Sequence, residues 1–163
     1  MVGKLERGEV VIRGARFEDV APLALTMRAE DRAEVWASHH LTPAEALDVS
    51  LRHSLMAFTF EIIGMPAAMF GLIPGSIIGG RACVWLLTGE ACDRIPVTFL
   101  KLSRKMISRF LELYPVMENW IDARYERAVK WARLCGAEVE DAAPWGAEGL
   151  PFHHVVWKRK SPE

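Results

Sequence analysis

The spacing of apolar residues at the start of the chain predicts a strand followed by a helix. The β-branched run from Val10 to Ile12 is typical of a strand. Val20, Leu23, Ala24 and Met27 then recur at the three-four spacing of an amphipathic helix.

Two further helical segments are expected before the next strand. The mostly charged stretch from Arg28 to Ser38 predicts a short helix whose polar face stays in water. Thr42 is suited to cap the following helix, Pro43 fits its first position, and Glu45 completes a T-x-x-E capping box. That helix is expected to continue to about Ser54.

Three runs rich in aromatic and β-branched residues begin at Met56. They read MAFTFEIIG, PAAMFGLIPG and RACVWLLTG, and they are separated by Gly64-Met65-Pro66 and by the glycine-rich stretch 75–80. Because glycine and proline mark turns between strands, an antiparallel meander of three strands is predicted.

A long helix is expected to start at Pro96 and to end near Tyr114. Apolar residues spaced by three, four, four and three positions predict its buried stripe, which consists of Phe99, Leu102, Met106, Phe110 and Leu113. The basic residues of this segment, including Lys101, fall outside the stripe.

The rest of the chain predicts a strand, a helix and a final strand. VMENWID alternates from Val116 and is expected to run parallel to the strand before the crossover helix. A last helix stops at Gly136, and the run from His153 to Trp157 is interpreted as an edge strand. The predicted fold class is α/β (α+β), with a mixed central sheet in the order β-α-α-β-β-β-α-β-α-β. This order shows two helices between the first two strands, where the residue patterns described above predict three helical segments. A single domain over 10–157 with polar tails at 1–9 and 158–163 is expected.

Composition excludes several classes of function. Twenty Lys and Arg residues nearly balance 21 Asp and Glu residues in the 163-residue chain, so no overall field favours nucleic acid. The three cysteines lack CxxC spacing, and adjacent histidines point apart, so no metal site is expected. The chain also lacks an apolar run long enough for a signal peptide or a membrane span, so neither is expected.

The segments VWLLTGE, KLSRKMISRFLELYP and NWIDARYERAVKWARLCGAEVE carry a family resemblance. Together with the element order, they resemble the GNAT superfamily of N-acetyltransferases, and within it the GNAT-related internal virion proteins of short-tailed phages. The resemblance implies a GNAT-like fold from Val10 to Trp157 and phage or prophage origin.

The phosphate loop of the GNAT family, R/Q-x-x-G-x-G/A, is not kept in this chain. The corresponding segment from Thr88 to Pro96 has one glycine, two carboxylates and a proline that removes an N–H donor. Two negative charges beside the implied phosphate seat oppose binding. Arg94 or Lys101 would have to replace backbone contacts with side-chain contacts, although both are also typical solvated charges at a helix start.

A second family pattern on the last helix is also altered. The resemblance places Ala132 where the family commonly has a tyrosine that protonates the leaving thiolate, and a methyl group has no proton to donate. Tyr125 and Trp131 are nearby aromatics, and both are interpreted as residues that pack the helix against the sheet.

Other candidate residues follow from the strand and helix positions. Glu61, in FTFEIIG, is a candidate base for an amine, with a cross-strand ion pair as the alternative. Asp31 and Glu34 are interpreted as part of a solvated helix face. Six tryptophans are many for this length and suggest a protein interface, a large core being the alternative.

Two functions are therefore carried forward. The first is a catalytically degenerate GNAT-fold phage protein without a cofactor, which contacts other phage or host proteins in the virion or the host cytoplasm. The alternative is an acetyl-CoA-dependent N-acetyltransferase in which Leu86, Leu87 and Thr88 present backbone groups to the pantetheine arm and Arg94 assists. In that alternative the amine acceptor is unknown.

Overall fold

A computed structural model describes residues 9–75 and 80–162. Within these residues the chain forms eight strands and five α-helices. The strands are β1 (Val10–Gly14), β2 (Met56–Ile62), β3 (Met65–Pro74), β4 (Arg81–Thr88), β5 (Val116–Asp122), β6 (Glu138–Val139), β7 (Ala143–Trp145) and β8 (Leu150–Lys158). The α-helices are α1 (Val20–Thr26), α2 (Ala29–His39), α3 (Pro43–His53), α4 (Pro96–Leu113) and α5 (Glu126–Leu134). The predicted tail 1–8 and most of the glycine-rich turn, 76–79, lie outside the described residues.

The sheet is mixed and has the order β1-β2-β3-β4-β5-β8-β6, with β7 also paired to β8. β1 to β4 are antiparallel neighbours, β4 and β5 are parallel, and β5 and β8 are antiparallel. The predicted meander, the long helix from Pro96 and the parallel strand that follows it are confirmed.

Helices cover both faces of the sheet. α1, α2 and α3 pack one core against the face that carries Met69, Trp85 and Leu87. α4 and α5 pack a second core against the opposite face, which carries Val84 and Met117. Because side chains alternate along a strand, β4 contributes to both cores and lies at the centre of the molecule.

The start of α3 uses the predicted capping signal. The Glu45 N–H donates to Thr42 Oγ1 at 3.3 Å, so Thr42 caps α3. α2 ends at His39, one residue after the predicted Ser38, and His40 follows it in a left-handed conformation with a φ of 54°.

The three helical segments predicted between β1 and β2 are present as α1, α2 and α3. Two other details of the sequence prediction are wrong. β8 is not an edge strand, because β6 and β7 form on its outer side. In α4, Leu113 is the last residue of the helix and is 56 % exposed, while Ile107 is buried.

Gly71 in β3 leaves space for the Trp85 indole. A Cβ added at Gly71 would lie 2.5 Å from the Met56 carbonyl oxygen and 3.0 Å from Trp85 Nε1. We expect Gly71→Ala to lower the free energy of unfolding by about 1–3 kcal/mol, since backbone atoms have to move. Urea denaturation measures this change. Gly14→Ala is the control, because its Cβ would meet nothing within 4 Å; equal effects of the two substitutions would contradict the crowding at Gly71.

Candidate functional site

A cleft opens between the later halves of β4 and β5. The two strands are paired over only three residues each, and Asn119 Nδ2 then donates to the Val84 carbonyl oxygen at 2.7 Å where they separate. Because backbone groups of alternate residues point the same way, those of Leu86 face the cleft, whereas those of Leu87 face β3. The Thr88 carbonyl faces the open side too, and it accepts the Arg28 N–H at 2.9 Å. Leu86 therefore presents an N–H and a C=O that are outside any ladder.

Buried donors without acceptors surround the same cleft. Arg28, Trp131 and Trp157 all belong to its walls. Among the described residues, Arg28 Nε, Trp131 Nε1 and Trp157 Nε1 are buried N–H groups with no hydrogen-bond partner. Buried polar groups are normally paired, so three unpaired donors at one cleft indicate a place for a ligand that carries acceptors.

Asp31, on α2, links residues of the cleft wall by hydrogen bonds. Its side chain accepts hydrogen bonds from the Thr88 hydroxyl and, at 2.9 Å, from the Tyr125 hydroxyl. Asp31 is only 3 % exposed, and this burial raises its pKa to about 6 against the opposing effect of both hydrogen bonds and of Arg28. Burial also raises the pKa of Tyr125 to about 12, so its phenol keeps its proton at neutral pH.

Glu34 lies one helical turn after Asp31 and is the most perturbed acid of the site. Its Oε2 accepts the Asp122 N–H at 3.0 Å. Burial, reinforced by the negative charges of Asp31 and Asp122, raises the pKa of Glu34 to about 8. A carboxylate with a pKa near the working pH has the property that a general base requires.

Glu34 is also shared with a second cavity on the α2 and α3 side of the sheet. This cavity, which we call the tryptophan pocket, has a volume of about 370 Å³ and includes Trp85, Trp120 and Trp145 in its walls. Because Glu34 belongs to the walls of both the cleft and the tryptophan pocket, its carboxyl group lies where the two meet.

The connection between β4 and α4 is a 3-10 helix over Glu90–Arg94. The N–H groups of Cys92 and Ile95 donate to carbonyls within this connection, so they are not available to a ligand. Asp93 forms ion pairs with Arg28 at 2.7 Å and Arg127 at 2.8 Å, so its negative charge is compensated. Of the two carboxylates expected to repel a phosphate here, only Glu90 is therefore without a compensating ion pair among the described residues. The connection still lacks the free amide N–H donors of the usual glycine loop.

The residues proposed from the sequence are not all brought together. Leu86 and Thr88 line the cleft, and Leu87 lines the tryptophan pocket. Arg94 is exposed just before α4. Glu61 lies away from the cleft in an ion pair with Arg13 at 2.7 Å, which is the cross-strand pair of the alternative interpretation. Ala132 is fully buried in the core.

The interpretation of Asp31 and Glu34 as a solvated face is wrong. Asp31 is buried, and Glu34 is half-buried at the meeting point of two cavities. One sequence signal was available, because Asp31, Glu34 and the buried Val35 share the three-four spacing of one helix face. Tyr125, interpreted as a packing residue, places its hydroxyl in the network at the mouth of the cleft as well.

Two expected absences concern metals and membranes. In the part of the chain that the structure describes, no group of His, Cys, Asp and Glu residues is arranged to hold a metal ion. None of the helices in residues 9–75 and 80–162 combines the length and apolar character that a membrane crossing requires.

Solved structures show the same architecture. A spermidine N-acetyltransferase from Vibrio cholerae, in complex with CoA and spermine, superposes with a TM-score of 0.63 at 13% identity over 93% of this chain and 96% of its own. The aminoglycoside acetyltransferase AAC(6')-Ib, in complex with coenzyme A, has a TM-score of 0.65 at 18% identity over 92% of this chain and 95% of its own. A ribosomal-protein-S5-alanine acetyltransferase from Vibrio fischeri has a TM-score of 0.66 at 11% identity, covering 94% and 95%.

The sequence itself matches no protein-family model and no curated protein. The chain has the GNAT acetyltransferase fold, and the predicted fold class is confirmed.

Proposed function

We propose that this chain is an acetyl-CoA-dependent N-acetyltransferase that acts on an amine. The observation that carries the proposal is the position of Glu34, a carboxyl group with a pKa of about 8 that is shared by the cleft and the tryptophan pocket. A thioester donor in the cleft and an amine in the tryptophan pocket would meet beside this base.

The hydrogen-bonding groups along the cleft match the pantetheine end of acetyl-CoA. Leu86 offers a free N–H and C=O along β4, and the unpaired N–H groups of Trp131 and Trp157 match the carbonyl acceptors of a pantetheine arm. Acetyl-CoA would supply the thioester whose acetyl group is transferred. Leu87 is left out of this set, because its backbone groups face β3.

The nucleotide end does not fit a cradle of backbone amides. The connection between β4 and α4 uses part of its N–H groups internally, and Pro96 has none. The exposed cations Arg94 and Lys101 stand at the start of α4, and we assign phosphate contact to Arg94. Recognition of acetyl-CoA is therefore expected to depend more on pantetheine contacts than in a GNAT protein with the usual glycine loop.

Two protein groups would handle protons. Glu34, when ionised, accepts a proton from the amine, so the rate should rise with pH through about 8. Tyr125 retains its phenolic proton at that pH and faces the mouth of the cleft, and we propose it as the proton donor on the thioester side.

Calorimetric titration with acetyl-CoA tests the donor assignment. We expect a dissociation constant in the micromolar range and about a tenfold weakening in Arg94→Glu, since one phosphate contact becomes a repulsion. Arg109→Glu, a charge reversal at an exposed position within α4, should leave the affinity within about twofold. If millimolar acetyl-CoA produced neither heat nor a thermal shift, the enzyme proposal would be wrong.

The second candidate function is the catalytically degenerate GNAT-fold phage protein. It is favoured by Ala132, which is fully buried at the position of the family tyrosine, and by the self-bonded connection before α4. Its phage origin, its partner proteins and its place in the virion or host cytoplasm stay predictions from the sequence. Micromolar binding of acetyl-CoA would contradict this candidate.

A further inference from the structure

The walls of the tryptophan pocket define the chemistry of the molecule that enters it. Trp120 and Trp145 stack in parallel, with ring centroids 5.0 Å apart and an interplanar angle of 3°. The His154 ring contacts Trp120 at 4.7 Å with a tilt of 31°, and His39 meets Trp145 edge-on at 5.7 Å. The two tryptophans of this pocket wall therefore belong to a cluster of contacting aromatic rings.

The third tryptophan adds a fixed apolar surface. Trp85 is 6 % exposed, and its Nε1 donates to Ser54 Oγ at 2.7 Å, so the indole has a fixed orientation and a satisfied N–H. Trp120 and Trp145 are half-buried, which leaves part of each ring open to the cavity. Aromatic walls of this kind bind flat apolar groups and cations more strongly than flexible polar chains.

The charges of the pocket are as selective as its walls. Among the described residues, its lining includes one carboxyl group, that of Glu34, and neither Lys nor Arg. Its two histidines, His39 and His53, each form a hydrogen bond through Nδ1, with Ser38 Oγ and the Val49 carbonyl oxygen. A ligand carboxylate or phosphate would therefore find no permanently charged cation there to offset its lost hydration. A polyamine would find one carboxyl group for several ammonium groups. A ligand with a single amine, no anionic group and a flat aromatic ring suits both the charges and the aromatic walls of the pocket.

We propose that the acceptor of this chain is a primary arylalkylamine without an anionic group, whose ring packs beside Trp120 and Trp145 while its amine reaches Glu34. The inference rests on the proposed acetyl transfer, but the pocket can be tested by binding alone. In the transfer, the neutral amine nitrogen would form a bond to the acetyl carbon and the carbon–sulfur bond would break. The amine proton would go to Glu34, and the CoA thiolate would leave as the thiol with the proton that Tyr125 donates.

Tryptamine and L-tryptophan make a matched pair of probes, since they differ only in a carboxylate. In calorimetry on the full chain at pH 8, we expect tryptamine to bind at least tenfold more tightly than L-tryptophan or spermidine. Trp120→Leu should weaken tryptamine binding by about tenfold or more. Trp36→Leu is the control, because Trp36 is 50 % exposed on α2 and is not part of the pocket wall.

The outcomes separate this inference from the proposed function. Tryptamine binding that is lost in Trp120→Leu, without acetylation when acetyl-CoA is added, would uphold the pocket and contradict the enzyme proposal. Acetylation of spermidine in preference to tryptamine would uphold the enzyme and overturn the arylalkylamine inference. Equal binding of tryptamine and L-tryptophan would overturn the inference as well.

Discussion

Glu34→Gln is expected to lower the turnover of amine acetylation by about 10²- to 10⁴-fold, which is the usual contribution of a general base. Glutamine keeps the hydrogen bond from the Asp122 N–H but accepts no proton from the amine. In the unsubstituted protein, the rate should rise with pH through about 8, because the base works only when it is ionised. Steady-state kinetics between pH 6 and 9.5 measures both effects.

The same substitution should make the protein more stable at high pH. The pKa of Glu34 is about 8 in the folded chain and 4.5 in the reference state, so its stabilising contribution is complete below pH 4.5 and is lost as the pH rises through 8. Above pH 8 the folded chain holds an ionised carboxylate in a buried position, which lowers its stability, and a neutral glutamine at position 34 avoids this cost. We expect Glu34→Gln to raise the free energy of unfolding by about 2 to 4 kcal/mol at pH 9, and by nothing measurable at pH 4.

Glu112→Gln provides the matched control for both measurements. Glu112 is an exposed acid on α4, and it should change neither the turnover nor the pH dependence of stability. A Glu34→Gln protein that retained full turnover would exclude Glu34 as the base. Lost turnover combined with unchanged stability at pH 9 would contradict its burial as the source of the raised pKa.

Ala128→Phe is expected to abolish acetyl-CoA binding, with the dissociation constant rising by about 30-fold or more. Ala128 is half-buried on α5 and lines the cleft together with Leu86 and Trp131. A phenyl ring at this position would occupy the space assigned to the pantetheine arm without removing any polar contact. Calorimetry with acetyl-CoA measures the loss, and thermal unfolding reports whether the fold is kept.

Lys130→Phe adds the same ring to the exposed side of α5 and should leave the affinity unchanged. If Ala128→Phe bound acetyl-CoA as tightly as this control, the donor would lie elsewhere. If tryptamine binding were unchanged in Ala128→Phe while acetyl-CoA binding was lost, the two cavities would be shown to act as separate sites for donor and acceptor.

Local sequence signals predicted most of the fold. Three local signals each act over a few neighbouring residues: the cap at Thr42, the proline at the start of α4 and the glycine turn after β2. The local amino-acid sequence is therefore enough to place them. The position of β8 in the sheet was not predictable in this way. It depends on β6 and β7, whose two and three residues are too short to give a periodic pattern.

The candidate site was only partly predictable. The family resemblance, rather than any local pattern, indicated the β4 segment with Leu86, Leu87 and Thr88, of which Leu86 and Thr88 line the cleft. The sequence offered Glu61 as a candidate base, with a cross-strand ion pair as the alternative, and the ion pair with Arg13 is what forms. It also placed Glu34 on a solvated helix face. Charge-rich helices normally face water, and this general rule led to the prediction of a solvated face. The three-four spacing of Asp31, Glu34 and Val35, which indicates one shared helix face, was given less weight.

The amino-acid sequence by itself determined the longer elements of this protein, their order and the absence of the glycine phosphate loop, since each is recorded in residues that are close together in the chain. Tertiary structure alone decided the chemistry of the site. Asp31 and Tyr125 are 94 positions apart, and Trp120 and Trp145 lie on different strands, yet each pair is in contact. The raised pKa of Glu34 has the same origin, because burial and neighbouring charges exist only once α2 has packed against the sheet.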